Sequence, residues 1–216
     1  MTKIVLLGPP GSGKGTQAKK LQECLNVVHI SVGDLLREAV AAKTAAGNAA
    51  AEFMAAGKLV PDEISIALTN ARLAQADCKE GFLLDGYPRN LAQAEALQNI
   101  LRKLSYTLDA VLYIEVPIES IIERLSGRRS CKNCGAVYHV KFAPPKKEGI
   151  CDCCGQVLVL RKDDVPEVIR TRFNVYCEQT EPLVAFYRQQ GLLKEIDGSR
   201  NVDEIFDSIK KALGIK

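Results

Sequence analysis

The chain has 216 residues, with 29 Lys and Arg against 26 Asp and Glu, 47% hydrophobic and 25% charged residues, and a formal net charge of +3. That length and balance suit one globular core with insertions. The charge is too small to argue for nucleic acid as the main partner, and no stretch is long and apolar enough to cross a bilayer. Only 6% of residues are aromatic and Trp is absent, while Ala and Leu are plentiful, so the core is expected to be helix-rich rather than a β-sandwich. Met1-Thr2-Lys3 is followed by four apolar residues before Gly8, short of a signal-peptide core, and the chain is expected in the cytoplasm. A reducing cytosol disfavours disulfides among its eight cysteines. Five of them fall between Cys131 and Cys154, which reads as a metal site, whereas Cys24, Cys78 and Cys177 read as buried or idle thiols.

In chain order, residues 3–7 form a short apolar run that stops at a Gly/Pro-rich turn, as expected of a parallel strand covered on both faces. A helix is predicted over 15–25 and a strand over 27–30. Residues 34–56 are Ala-rich and helical, with breaks around Gly47 and Gly57. Pro61-Asp62-Glu63 opens a helix running to about residue 76. Strand 82–85 is closed by Gly86-Tyr87-Pro88 and followed by helix 90–104. Strand 110–116 precedes helix 118–125. Residues 165–189 read as one long helical stretch kinked or divided by Pro182, ahead of a strand at 192–196 and a helix at 202–213. This alternation predicts a parallel sheet with helices on both faces. Residues 130–160 break it. They are rich in Cys, Gly, Pro and Lys with β-like pieces at 136–140 and 156–160, and read as a small inserted subdomain.

Between the first strand and the first helix lies Gly8-Pro9-Pro10-Gly11-Ser12-Gly13-Lys14-Gly15-Thr16. It follows the phosphate-loop pattern except that Gly15 stands where Ser or Thr is usual, with Thr16 one place later. Glycines let successive backbone N–H groups wrap an anion, and the helix that opens here adds favourable electrostatics. Lys14 suits the terminal phosphates of a triphosphate better than a dinucleotide, and Thr16 can reach phosphate or its metal ion.

Cys131-Lys-Asn-Cys134 and Cys151-Asp-Cys-Cys154 are two C-x-x-C pairs separated by sixteen residues, each pair followed by a glycine. Four thiolates in a tetrahedron suit a structural Zn²⁺ with no open catalytic position. The expected ligands are Cys131, Cys134, Cys151 and Cys154. Cys153 is a competing neighbour, and His139 is an outlying candidate better read as a strand residue.

The loop is followed in order by Ser31-Val32-Gly33-Asp34-Leu35-Leu36-Arg37, Gly57-Lys58-Leu59-Val60, Asp85-Gly86-Tyr87-Pro88-Arg89 with Gln93, Gly127-Arg128-Arg129, and Arg161-Lys162-Asp163-Asp164 with Arg172. This array, covering essentially the whole chain, resembles the adenylate kinases of the nucleoside monophosphate kinase family in their bacterial long-lid form. The resemblance implies a P-loop NTPase-type parallel sheet flanked by helices, with a helical acceptor-binding insertion and a zinc-stapled β lid. It divides the chain into a core (1–30, 61–126 and 165–216), the insertion (31–60) and the lid (127–164). The implied reaction is phosphoryl exchange in which Mg²⁺-ATP and AMP give two ADP, and a monomer is expected because nothing in the sequence reads as an assembly surface.

By the same resemblance, Lys14, Asp85, Arg89, Arg124, Arg128, Arg161 and Arg172 carry the chemistry, with Asp85 as the Mg²⁺ carboxylate. ATP meets Gly11, Ser12, Gly13, Lys14, Gly15, Thr16, Arg128, Val137, Tyr138 and the backbone of Arg200. AMP meets Val32, Arg37, Lys58, Leu59, Val60, Gly86, Tyr87, Pro88, Arg89, Gln93, Arg161 and Arg172. Gln93 can donate to and accept from the adenine edge together. Val32 departs from the family, which has Thr there, so a hydroxyl beside the acceptor base is missing. Two other readings compete: a kinase for CMP or UMP, and a zinc-ribbon nucleic-acid-binding protein supported by Lys141, Lys146 and Lys147.

Overall fold

The computed structural model describes residues 2–215. Met1 and Lys216, the outer ends of the expected core segments, lie outside the described residues. A five-stranded sheet runs β2–β3–β1–β4–β8, built from β1 (Thr2–Leu7), β2 (Val28–Ser31), β3 (Gly81–Asp85), β4 (Ala110–Glu115) and β8 (Leu193–Asp197). Each neighbouring pair is parallel. Successive residues of one strand serve opposite faces. Val5, Leu84, Val111 and Tyr113 enter one apolar cluster, and Ile4, Leu83, Leu112 and Ile114 enter the other. Two-sided burial is why these strands read as unbroken apolar runs rather than alternating ones. The register brings Leu6 and Ser31 beside Asp85, so β1, β2 and β3 end at one level. Ligands of open α/β sheets gather outside such carboxyl ends.

The helices are α1 (Lys14–Leu25), α2 (Val32–Ala41), α3 (Ala45–Ala55), α4 (Asp62–Leu73), α5 (Leu91–Lys103), α6 (Ile118–Ser126), α7 (Pro166–Val175), α8 (Pro182–Gln189) and α9 (Val202–Leu213). Two departures from the expected elements have clear causes. The break in the Ala-rich segment falls at residues 42–44, where Thr44 caps α3 through the N–H of Gly47 at 3.0 Å. Gly47 itself lies inside α3. A Cβ there would sit 2.0 Å from the Ala39 carbonyl oxygen, so the glycine permits close packing of α3 on α2 rather than ending a helix. The stretch 165–189 is divided earlier than Pro182 suggests, by a π turn at Tyr176–Thr180 in which Glu181 N–H donates to Tyr176 O at 2.9 Å. Pro182 then occupies the first turn of α8, where its missing N–H costs nothing. The helix expected to reach residue 76 stops at Leu73 and is followed by a 3₁₀ turn, Ala76–Cys78.

The inserted segment forms a separate antiparallel sheet, β6–β5–β7, from β5 (Arg128–Cys131), β6 (Val137–His139) and β7 (Leu158–Val159). β5 was not among the expected strands. Arg128-Arg129-Ser130-Cys131 carries no apolar alternation, and its conformation is set by pairing with a partner on each side.

Candidate active site

The phosphate loop links β1 to α1 at the carboxyl edge of the sheet. Gly13, at φ 94°, takes the left-handed conformation that starts α1, and no side chain caps the helix there. The N–H groups of Lys14 and Gly15 at its start are thus left without a helical partner, while those of Thr16 and Gln17 both donate to Gly13 O at 3.0 Å. Lys14 Nζ donates to the carbonyls of Gly8 and Pro9, both at 2.8 Å, and lies 3.3 Å from Ser12 Oγ. Withdrawal from water lowers the Lys14 pKa to about 8, against the opposing pull of Asp85. Burial also opposes the charge on Asp85, but His29, Lys14 and Arg89 hold its pKa below the ordinary carboxylate value. His29 Nε2 lies 3.7 Å from Asp85 Oδ2. Sequence reasoning assigned His29 no role, because it sits in an unremarkable strand two residues before Ser31.

A cleft of about 1120 Å³ opens from this loop, and Gly11, Ser12, Gly13, Lys14, Gly15, Thr16, Asp85, Val137, Tyr138 and Arg200 all line it. So do Arg37, Arg89, Arg124, Arg128, Arg161 and Arg172, which converge from separate elements. Each is held by an oxygen. Arg128 makes a two-pronged pair with Asp164 (Nε 2.7 Å, Nη2 2.6 Å). Arg172 Nη1 meets Asp163 Oδ2 at 2.9 Å and Asp164 Oδ1 at 3.1 Å. Arg161 Nε donates to Ser130 Oγ at 2.8 Å, Arg124 Nη2 to Gly198 O at 2.8 Å, and Arg89 Nε to Gly86 O at 2.9 Å. Thr180, presented by the π turn, donates to Arg89 O at 2.7 Å. Burial, reinforced by neighbouring arginines, brings Arg89 and Arg161 down to about 10. The side chain of Asp164 is wholly buried between Arg128 and Arg172. Asp163 and Asp164 were visible in the sequence only as companions of Arg161; the service of Asp164 as the shared anchor of Arg128 and Arg172, with Asp163 a second partner of Arg172, needed the fold.

Beside the cleft, a smaller pocket is lined by Val32, Arg37, Lys58, Leu59, Val60, Gly86, Arg89, Gln93 and Arg172. Pro88 and Arg161 face the larger cleft. Tyr87 departs from its expected place. It is 1% exposed, belongs to the core, and its hydroxyl donates to Gln93 O at 3.1 Å rather than facing either cavity.

At the far end of the inserted sheet, the sulfur atoms of Cys131, Cys134, Cys151 and Cys154 lie within 4.8 Å of one another. The Cys131–Cys154 and Cys134–Cys151 pairs stand 3.4 and 3.5 Å apart. A tetrahedral Zn²⁺ with Zn–S of ~2.3 Å needs sulfurs about 3.8 Å apart, whereas a disulfide needs about 2.05 Å, so the set fits a metal ion. Burial resists ionisation of Cys151, but the Tyr138 hydroxyl and the N–H groups of Cys154 and Cys153 bring its thiol down to about 6. Cys153 is exposed and stays outside the cluster. His139 also stays outside it; its Nδ1 accepts from the N–H groups of Lys141 and Phe142 at 3.0 and 3.1 Å.

A family model described as adenylate kinase matches residues 6–192. The adenylate kinase of Moorella thermoacetica is 53% identical over 212 residues, 98% of each chain. That of Carboxydothermus hydrogenoformans is 53% identical over 211 residues, covering 98% of this chain and 99% of the relative. That of Archaeoglobus fulgidus is 49% identical over 210 residues, 97% of each chain. None of the helices among the described residues is long and apolar enough to span a membrane. Likeness of this depth over nearly the whole length shows that the chain belongs to the adenylate kinase family, the enzymes of reversible phosphoryl transfer between ATP and AMP.

Proposed function

We propose that the chain moves the γ-phosphoryl of Mg²⁺-ATP onto the phosphate of AMP, giving two ADP, and so balances the adenine nucleotide pool of the cytoplasm as a monomer. The observation that supports this most is the convergence of Lys14, Arg89, Arg124, Arg128, Arg161 and Arg172 on one cleft, with Asp85 facing the loop. Two polyanions must be held together there and their repulsion screened. The terminal P–O bond of ATP breaks as an oxygen of the AMP phosphate attacks in line. No covalent protein nucleophile is needed, and the protein's work is positioning and charge stabilisation.

Residues 11–16 hold the donor phosphates, with Lys14 turning from the loop carbonyls to the phosphates. Arg128, Val137, Tyr138 and the backbone of Arg200 receive the rest of ATP. Arg37, Arg89, Arg161 and Arg172 take the acceptor phosphate. The backbone of residues 58–60 and the Gln93 amide read the acceptor base, and Val32, 2% exposed at the pocket wall, replaces a hydroxyl with apolar contact to the purine. Gly86 and Pro88 shape the floor between the two halves.

Asp85 and Thr16 offer hard oxygen donors of the kind Mg²⁺ selects, and a Cβ on Gly15 would lie 3.7 Å from Asp85 Oδ2, which sets that carboxylate against the loop. Bound with ATP, Mg²⁺ neutralises charge on the phosphates. Cys131, Cys134, Cys151 and Cys154 hold Zn²⁺ as a structural ion. Residues 31–60 act as the acceptor-binding unit and residues 127–164 as a lid that excludes water on closing.

A coupled assay offering AMP, CMP, UMP, GMP and dAMP with Mg²⁺-ATP tests the reading. AMP is expected to be the preferred acceptor. Turnover with CMP or UMP alone would overturn it, and no turnover at all beside tight DNA binding would restore the zinc-ribbon alternative. Elemental analysis is expected to find one zinc per chain.

A further inference from the structure

Gln93 is 2% exposed and reaches the acceptor pocket, yet both ends of its amide are already engaged from behind. Nε2 donates to Asp62 Oδ1 at 2.7 Å, and Oε1 accepts from the backbone N–H of Arg89 at 2.8 Å. Asp62 is fixed in turn by Asn90 Nδ2, at 3.0 and 3.2 Å from its two oxygens, while Asn90 Oδ1 caps α5 through the N–H of Gln93 at 2.8 Å. An ionised carboxylate only accepts and a backbone N–H only donates. Turning the Gln93 amide over would set oxygen against carboxylate and N–H against N–H, so a single orientation is allowed. Each amide atom keeps one valence for the pocket: a second hydrogen on Nε2 and a second lone pair on Oε1.

We infer that Asp62 is a specificity-determining positioning residue, which locks the Gln93 amide in the orientation that accepts a 6-aminopurine monophosphate and rejects a 6-oxopurine one. The inference rests on the reading that Gln93 meets the acceptor base. Adenine offers an N6–H donor beside an N1 acceptor, and hypoxanthine offers the reverse, an O6 acceptor beside an N1–H donor. A freely rotating glutamine serves either base by flipping. A locked one leaves buried polar groups unpaired against the wrong base, the arrangement that discriminates most strongly. Asp62 itself does not line the pocket, so its effect passes through Gln93.

The test compares kcat/KM for AMP and for IMP, which differ in the lock's terms only at positions 6 and 1 of the base. Asp62→Asn keeps the shape but can both donate and accept, and the AMP-to-IMP ratio is expected to fall at least about tenfold. KM for the acceptors should carry the change, with KM for ATP unmoved. Asn90→Ser keeps a capping hydroxyl but releases Asp62, and is expected to move the ratio the same way by less. Gln93→Leu is the control for the underlying reading. If it leaves the ratio unchanged, Gln93 does not read the base and that reading falls. If it collapses the ratio while folded Asp62→Asn and Asn90→Ser do not, the lock alone is overturned.

Discussion

The sheet core and the inserted cysteine-bearing segment are held together by different physics. The core sandwiches β1, β3 and β4 between two apolar clusters containing many wholly buried side chains. The insertion has a cluster of Cys131, Ala136, Cys151 and Leu158, with Tyr138 and Cys154 packed against it, and two of the buried four are candidate metal ligands. So small a nucleus cannot offset the entropy of ordering the segment, and on the proposed reading a metal staple would take the place of apolar burial. The lesson is one of independence. A metal-held insertion of this kind would remain intact while it moved against the core, because its order would not rest on core packing.

The most drastic way to separate the two regions is to strip the metal. Incubation with a strong chelator, or Cys151→Ser, is expected to disorder residues 127–164 and cut activity by at least about a hundredfold, since structural zinc sites contribute on the order of 10 kcal/mol. Circular dichroism should show most of the helix surviving, with the core keeping its own thermal transition. Loss of both regions together would break the comparison. The reverse experiment is Leu83→Ala, at a wholly buried strand position. It should cost about 2–5 kcal/mol in denaturant unfolding while zinc content stays the same.

A smaller effect comes from pH. Lys14, with its pKa lowered to about 8, is cationic below that value and loses its charge as pH rises through it. KM for ATP is therefore expected to increase between neutral pH and pH about 9, a range in which surface carboxylates do not titrate. The stability sign is opposite: the penalty for burying this cation is present below the folded pKa and is relieved as pH rises toward the unfolded value. Replacement of Lys14 by Met should abolish that pH dependence of KM. The smallest effect is expected at Glu123, whose exposed pair with Lys141 spans core and insertion at 2.7 Å. Glu123→Gln should leave the melting temperature unchanged, because solvent screens such pairs.

What could be read from the sequence was whatever local chemistry enforces. The loop at residues 8–16 declares itself because glycine spacing and a lysine are both needed to wrap phosphate. The two C-x-x-C pairs declare themselves because thiolate spacing is fixed by the ion, and the structure brings that set together without Cys153. Strands β1, β3 and β4 were legible as continuous apolar runs. β5 was not, since its conformation comes from neighbours far along the chain. The break between α2 and α3 was misplaced because Gly47 reads as a helix breaker until the Ala39 carbonyl is seen beside it. Tyr87 was placed at the acceptor by its neighbours in the motif, although its own side chain turns inward. Asp62 read only as the start of a helix, its partnership with Gln93 spanning 31 positions.

The gathering of Arg89, Arg128, Arg161 and Arg172 around one cavity has a further consequence for the direction of flow. Before transfer the cavity would hold a triphosphate and a monophosphate, and afterwards two diphosphates. The number of phosphates is the same, and so in essence is their total charge. A ring of cations holding the whole set would favour neither arrangement strongly. The cluster would speed passage both ways while leaving the balance point to the nucleotide concentrations around the protein.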